Sequence, residues 1–388
     1  MARSPLLGRR IHISGSIVED AAVATASDVN AARDLVAALV KELVKRGANF
    51  VIPVDAEPVR KCDSLPICFD WLIWTTIKSN LTLRPANVPG PLAVAVQHHK
   101  SEDQIPEEYG ALWDELRASP LVKIENAAHW NMASKRMEAQ ARFGDILVAL
   151  GGSEGVLFLA NLYHDAGKPV VPLNLAICPE TTGARRLYNF GLTSSQSRRL
   201  FQIVEDGDVH DWINKIRFPP RQSISDRVSV LIDLLESLER PKAFAVRLLN
   251  PDLPDYADVQ NYFDTVVQPV IEGELGYRLV VIDGRQAYEH SRIDQEIFAK
   301  LYRSSVVLAD ITGARPNCFL ELGYALGRGL PTMLMVREGA SLPFDITTFS
   351  GLHWKTAGTV DDRRRAFREH WQAIRNRPSL VQAKPLIS

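Results

Sequence analysis

Asp310, Asn317 and Glu321 place two carboxylates and an amide close together in the stretch Ser304 to Gly329, SSVVLADITGARPNCFLELGYALGRG. Asn317 and Glu321 are four apart, so on a helix they share a face, and Tyr324 lies three further on. A carboxylate at such a point can stabilise a developing cation or act as a nucleophile. The competing reading of Glu321 is a solvated charge favoured near a helix start by the macrodipole. The company of Asp310 and Asn317 favours the chemical role. A second group of residues offers different chemistry. Gly151, Gly152, Ser153, Glu154 and Gly155 form a glycine-rich turn, and Ser14, Gly15 and Ser16 a small-residue turn near the start. Glycines let backbone N–H groups approach a phosphate, and a following helix N-terminus favours its charge. Taken alone, such a turn is also a tight corner between strand and helix.

The elements that must position these groups follow from apolar patterning. Residues 306–309 read as a buried parallel strand ending at Asp310. A turn with Thr312, Gly313 and Pro316 leads to a helix from Asn317 to the glycines Gly327 and Gly329. In an open α/β sheet, the ends of such strands are where ligands bind. Upstream, residues 244–246 and 277–282 read as strands, 256–274 and 293–302 as helices, and 332–336 as another strand. Asp283 stands at the end of the second of these strands. Asp310 and Asp283 either orient a substrate or cap their turns. Residues 361–374 read as a charged terminal helix.

In the first half, residues 10–13 read as a strand running into Ser14-Gly15-Ser16. Asp28 is expected to cap a helix whose apolar positions run from Val29 to Val44, closed by Gly47. Residues 50–52 form the next strand, completing a right-handed βαβ unit. Residues 70–77 and 109–117 read as helices, and 92–96 as a strand. Residues 146–150, 156–166 and 170–173 give strand, helix and strand around the glycine turn. His98, His99 and His129 have no metal-ligand spacing, and no metal is expected. Residues 223–240 form an amphipathic helix after the break at Pro219-Pro220; a connector between domains is expected, with an oligomer contact as the alternative. The fold class is therefore α/β: two Rossmann-like or flavodoxin-like domains, each a parallel sheet flanked by helices. The expected boundaries are 1–215, a helical connector at 216–241, and 242–388.

The 388 residues exceed what one core usually organises. A net charge of −1 gives no electrostatic bias toward nucleic acid, and none is expected as a partner. The four cysteines are scattered, without a C-x-x-C pair, which suits a reducing compartment. No apolar run approaches membrane-spanning length, and the basic start lacks a signal-peptide core. A soluble cytoplasmic protein with no membrane partner is expected.

The run Asn317-Cys318-Phe319-Leu320-Glu321-Leu322-Gly323-Tyr324-Ala325 after a strand-ending Asp310 resembles the N-x-x-x-E-L-G-Y-A element of nucleoside 2-deoxyribosyltransferase-like and TIR-like families. The resemblance covers about residues 243–355. It implies cleavage of an N-glycosidic bond, with Glu321 stabilising the oxocarbenium sugar or attacking it, and Asn317 holding ribose hydroxyls. Arg285, Arg292 and Arg315 would serve a phosphate-bearing substrate, or remain surface arginines. Ser14, Gly15, Ser16 and Gly151 to Gly155 together resemble the nucleotide cradle of the SLOG superfamily, which includes the cytokinin-activating enzymes. Those enzymes carry P-G-G-x-G-T-x-x-E; here Leu157, Phe158 and Leu159 stand where the acid would fall, which points to sensing. Such fusions resemble bacterial anti-phage effectors. The resemblance implies an N-glycosyl hydrolase acting on NAD or a related nucleotide, needing no cofactor, activated by a nucleotide second messenger and working as a homo-oligomer. The alternatives are a housekeeping nucleoside deoxyribosyltransferase or hydrolase, and a non-catalytic nucleotide-binding protein.

Overall fold

Short, fully buried apolar runs become strands that pair in parallel, as sheets covered on both faces require. The computed structural model describes residues 4–86, 88–98, 100–128, 133–194, 201, 209–219, 221–238, 240–282, 293–340 and 350–375. The chain divides into two units, Met1–Glu239 and Arg240–Lys384.

The first unit contains β1 (Arg10–Ser16), α1 (Ala26–Lys45), β2 (Asn49–Pro53), α2 (Asp70–Asn80), β3 (Ala93–His98) and α3 (Glu107–Ala118). These are followed by β4 (Val122–Ala128), α4 (Ala133–Phe143), β5 (Ile146–Gly151), α5 (Glu154–Asp165), β6 (Val170–Leu173), α6 (Gly183–Thr193), α7 (Val209–Lys215) and α8 (Ile224–Ser237). The sheet order is β4-β3-β2-β1-β5-β6, all parallel, so the chain reverses direction of travel between β1 and β5. Helices α1, α2 and α8 pack one face around Trp71 and Trp74. Helix α5 packs part of the other through Val156, Leu159, Ala160 and Tyr163.

The second unit contains β7 (Lys242–Val246), α9 (Tyr256–Tyr262), β8 (Arg278–Val280), α10 (Ile293–Tyr302), β9 (Val306–Asp310), α11 (Pro316–Gly327), β10 (Thr332–Arg337), β11 (Leu352–Trp354) and α12 (Val360–Arg375). Its order, β11-β10-β9-β7-β8, is a doubly wound sheet whose switch point lies between β7 and β9. The two parallel, helix-flanked sheets are the α/β architecture expected from patterning.

Four local differences have physical reasons. Thr25, not Asp28, caps α1: Asp28 N–H donates to Thr25 Oγ1 (3.2 Å) and Thr25 N–H donates to Asp28 Oδ2 (3.2 Å), a capping box. Strand β1 continues through Ser14, Gly15 and Ser16, which pair with Ala149, Leu150 and Gly151 rather than turning. The helix begun at α9 widens into π turns at Phe263–Val267 and Pro269–Glu274; Pro269 has no N–H with which to close an α turn. The helix expected as a connector is α8, and it belongs to the first unit. Its stripe of Val228, Leu231, Ile232, Leu235 and Leu238 is buried in that unit's core. Strand β4 and helices α4 and α6 fill what the sequence left unassigned.

Leu235 is fully buried in this core. Leu235→Ala should cost the first unit about 2–5 kcal/mol. Denaturant unfolding of wild type and variant measures the difference; a change within error would place α8 outside the cooperative core.

Candidate functional sites at two switch points

In the second sheet, β9 ends at the switch point with Asp310, which is wholly buried. A buried carboxyl needs donors, and two are in place. Thr312 N–H donates to Asp310 Oδ1 (2.9 Å) and Trp354 Nε1–H to Oδ2 (2.7 Å). The first closes a local turn of the kind Asp makes with the backbone two residues on. Burial still pushes the carboxyl up to about 6, opposed by the Thr312 and Trp354 hydrogen bonds and by the Arg247 charge. Trp354 is itself stacked on Tyr262 at 4.4 Å. Asp310 therefore anchors the turn from behind, and the turn-capping alternative describes its contacts.

The turn that follows is tightly determined. Gly313 has φ +78° and Ala314 φ +50°, a conformation disfavoured for a residue with a side chain. Arg337 N–H donates to Thr312 Oγ1 (2.9 Å), and the Arg337 guanidinium pairs with Asp255 (2.5 Å) and Asp258. This brace delivers the start of α11 to the sheet edge. Pro316 at the first helical turn suits that start, since its missing N–H would be unpaired anyway. Cys318, Leu322 and Ala325 bury the inner face of α11.

Glu321 stands on the flank of that face, half-buried, with Asn317 exposed one turn before it and Tyr324 half-buried one turn after. Burial pushes the Glu321 carboxyl up to about 7. The Cys318 thiol is pushed up to about 12 by burial, then by the nearby Glu321 and Asp310 charges, with Arg315 opposing. Glu321 and Asp310 thus act on the same small space. A carboxyl near 7 at a sheet's switch point is a group that can titrate in a reaction at neutral pH. Arg315 is exposed at the N-terminal end of α11. Asp283, Arg285 and Arg292 lie outside the described residues. Trp354 and Arg337, which fix the turn, escaped the sequence reading. Strand β11 is only three residues long, and a lone Arg after a strand carries no pattern.

In the first sheet, the switch point is the pair of strand ends Ser16 and Gly151. Gly15 permits a contact no other residue allows: a Cβ there would sit 1.6 Å from the Leu150 carbonyl oxygen. Gly151 and Gly152 both have positive φ (+48° and +72°), and Gly152 N–H donates to Ser16 O (2.7 Å). The start of α6 closes over this turn, since a Cβ on Gly183 would meet the carbonyl oxygens of Gly151 and Gly152 at 2.1 and 2.3 Å. The α5 N-terminus follows directly, with Ser153 as its cap residue and the first-turn N–H groups of Glu154 and Gly155 without helical partners. The Glu154 side chain is 84% exposed and lies 3.9 Å from Arg186, so it points into solvent. Ser14 sits within β1, paired with Ala149. Among the described residues, no group of three or more His, Cys, Asp or Glu is placed to hold a metal. No helix among them is long and apolar enough to cross a membrane.

Two open parallel α/β sheets, each with polar groups gathered at its switch point, define a nucleotide-binding class of architecture. The family model described as "ATP nucleosidase Cap17-like, N-terminal" matches residues 6–235, more than half of the chain, and the chain belongs to that family. The match ends within α8, so the second unit lies beyond it. The chain is also 24% identical over 169 residues to the ATP nucleosidase Cap17 of Escherichia coli strain KTE188, covering 41% of this chain and 32% of that protein. A second ATP nucleosidase Cap17, from Escherichia coli, matches to the same extent. The chain thus spans about a third of the length of the curated relatives it matches.

Replacing Trp354 with Phe keeps a ring against Tyr262 but leaves Asp310 Oδ2 buried without its donor. Trp354→Phe should destabilise the second unit by about 1–3 kcal/mol. Because Asp310 already titrates high, near 6, its charge is unfavourable above that pH. The loss should therefore be largest at pH 8 and smaller at pH 5, where the carboxyl takes a proton. Thermal unfolding at the two pH values measures this; an equal loss at both would remove Asp310 as its cause.

Proposed function

We propose that the chain is a nucleotide N-glycosidase whose catalytic carboxylate is Glu321, under the control of a nucleotide bound at the glycine turn of the first unit. The observation that carries the reading is Glu321 itself. It is a half-buried carboxyl raised to about 7, on a helix delivered to a switch point by a purpose-built turn. Membership of a family named for ATP nucleosidase brings ATP forward as substrate, with NAD as the related nucleotide that the resemblance of α11 suggests.

In the proposed reaction the bond between the base nitrogen and C1′ breaks, and positive charge builds on the sugar. Ionised Glu321 stabilises that charge or attacks C1′ to hold the sugar covalently. Water then supplies hydroxide to C1′ and a proton to the departing base. Asn317 is exposed at the head of the helix, where its amide can reach ribose hydroxyls. Arg315 is at hand for phosphate. Asp310 positions the turn and does not touch substrate. No cofactor is required by this balance.

The pairing of a nucleotide-binding module with this second unit supports a role in anti-phage defence, in which a nucleotide signal releases the activity. Assembly into a homo-oligomer in the cytoplasm completes the proposal. A second reading has one observation in its favour. The family model with the nucleosidase name ends at residue 235, so hydrolysis would fall to the first unit.

Glu321→Gln decides between them. It should lower base release from ATP or NAD by about 10²–10³. Wild-type kcat/KM should rise with pH through about 7, because the ionised carboxylate is the working form. The sign for stability is opposite. Glu321 carries no penalty below its unfolded value, and burial of its charge destabilises progressively as pH rises toward 7. The Gln variant should therefore gain stability over wild type at pH 8 and lose that advantage toward pH 5. Undiminished turnover in Glu321→Gln assigns the chemistry to the first unit.

A further inference from the structure

The loop between β2 and α2 encloses a guanidinium to which the fold gives too few acceptors. Arg60 is wholly buried, and an arginine keeps its charge wherever it is placed. The backbone turns tightly around it. Arg60 N–H donates to Leu65 O (2.8 Å), Ser64 N–H donates to Arg60 O (2.9 Å), and Ser64 is held at φ +59°. Arg60 Nη2 lies 3.3 Å from Asp63 Oδ2. Nη1 is enclosed and has no partner among the described residues. Nε and Nη2 both aim at the sulfur of Cys62, at 3.3 and 3.1 Å. A neutral thiol is only a weak acceptor, so the buried charge is poorly answered as the loop stands.

Cys62 itself is exposed. Its S–H donates to the Glu19 carbonyl at 3.6 Å, which leaves the sulfur lone pairs to face Arg60. Lys61 N–H donates to the Glu19 carboxylate (3.1 Å) and ties the loop to the chain leaving β1. A surface sulfur is thus held against a buried cation. Negative charge on that sulfur, or on an oxygen bonded to it, meets N–H groups already in place. The other cysteines are kept as thiols by burial, which pushes Cys68 and Cys318 up to about 12 and raises Cys178. The thiolate is the form that reacts.

We propose that Cys62 is a hydroperoxide-reactive thiol, converted to a sulfenic acid whose oxygen the Arg60 guanidinium holds. The thiol proton passes to solvent, and the sulfur attacks one peroxide oxygen. The S–O bond forms as the O–O bond breaks, and the leaving hydroxide takes a proton to become water. Sulfur loses two electrons and the peroxide gains them, so the hydroperoxide is the only co-reactant. This chemistry is independent of which unit cleaves a glycosidic bond.

The test treats the full chain with hydrogen peroxide at pH 6.5, traps sulfenic acid with dimedone, and follows each cysteine by the mass of its peptide. Cys62 should take the label at least about tenfold faster than Cys68, Cys178 or Cys318. Exposure alone would give that ranking, so the deciding comparison is the same chain unfolded in urea, where no guanidinium is placed against the sulfur. Folded Cys62 should react at least about threefold faster than unfolded Cys62; the gain is moderate because a stabilised thiolate is also a weaker nucleophile. Asp63→Asn removes the carboxylate that shares Nη2 and keeps an amide oxygen for Leu65 N–H, which Asp63 Oδ1 accepts at 3.1 Å. It should raise the Cys62 rate about twofold or more. A folded rate equal to or below the unfolded one overturns the proposal. So does an unchanged or slower rate in Asp63→Asn that keeps the wild-type circular dichroism; should that variant unfold, the folded and unfolded wild-type rates decide alone.

Discussion

A carboxyl withdrawn from water must be given donors, take a proton or wait for a ligand, and that constraint sorts the acidic residues at the edge of the second sheet. Asp310 is given donors by Thr312 and Trp354, and it fixes a turn. Glu321 is raised to about 7 by burial, with no donor to its carboxyl among the described residues. An anchoring acid is thus told from an unpaired one by what surrounds each, although they stand at the end of β9 and on the helix that follows it. Desolvation is the largest effect on both Asp310 and Glu321, and at Asp310 the hydrogen bonds of Thr312 and Trp354 and the Arg247 charge oppose it.

The two units solve the approach of a ligand differently. In the first, backbone does the work. Gly15, Gly151, Gly152 and Gly183 stand where chain segments approach so closely that a single Cβ at any of them would collide with a neighbour. The N-terminus of α5 follows directly behind them. In the second, side chains do it: Arg337 ties β10 to Asp255 and Asp258, and the turn before α11 is held from below by Asp310. A rigid backbone cradle suits recognition of phosphate. A braced helix carrying one poised carboxylate suits chemistry on a sugar. The proposed split of sensing and catalysis rests on this division, while the nucleosidase family match falls on the first unit and favours the second reading.

Much of this was legible in the sequence, for identifiable reasons. Strands β5, β6 and β9 are continuous apolar runs between turn residues, and α1 has strict helical spacing, so these elements were readable to within a few residues. The α11 motif was readable because its acid, amide and glycines fall at fixed intervals. Strand β4 was not, because VKIENAA alternates polar residues at a sheet margin and lacks an apolar run. Helix α4 carries Arg136 but is polar in sequence, so nothing pointed to it. The Thr25 cap was missed because Asp28 mimics a cap while serving as its partner. The pairing of Asp55 with Arg136 joins residues far apart in the chain, and one sequence offers no sign of such a contact. Trp354 is hidden for the same reason.

The most direct measurement is the fate of labelled water. Purified protein is incubated with ATP or NAD in ¹⁸O-water, with candidate activating nucleotides, and the products are weighed. The account predicts free adenine or nicotinamide, with one ¹⁸O atom on C1′ of the ribosyl product. Label appearing on phosphate, with the base still attached to its sugar, would contradict it.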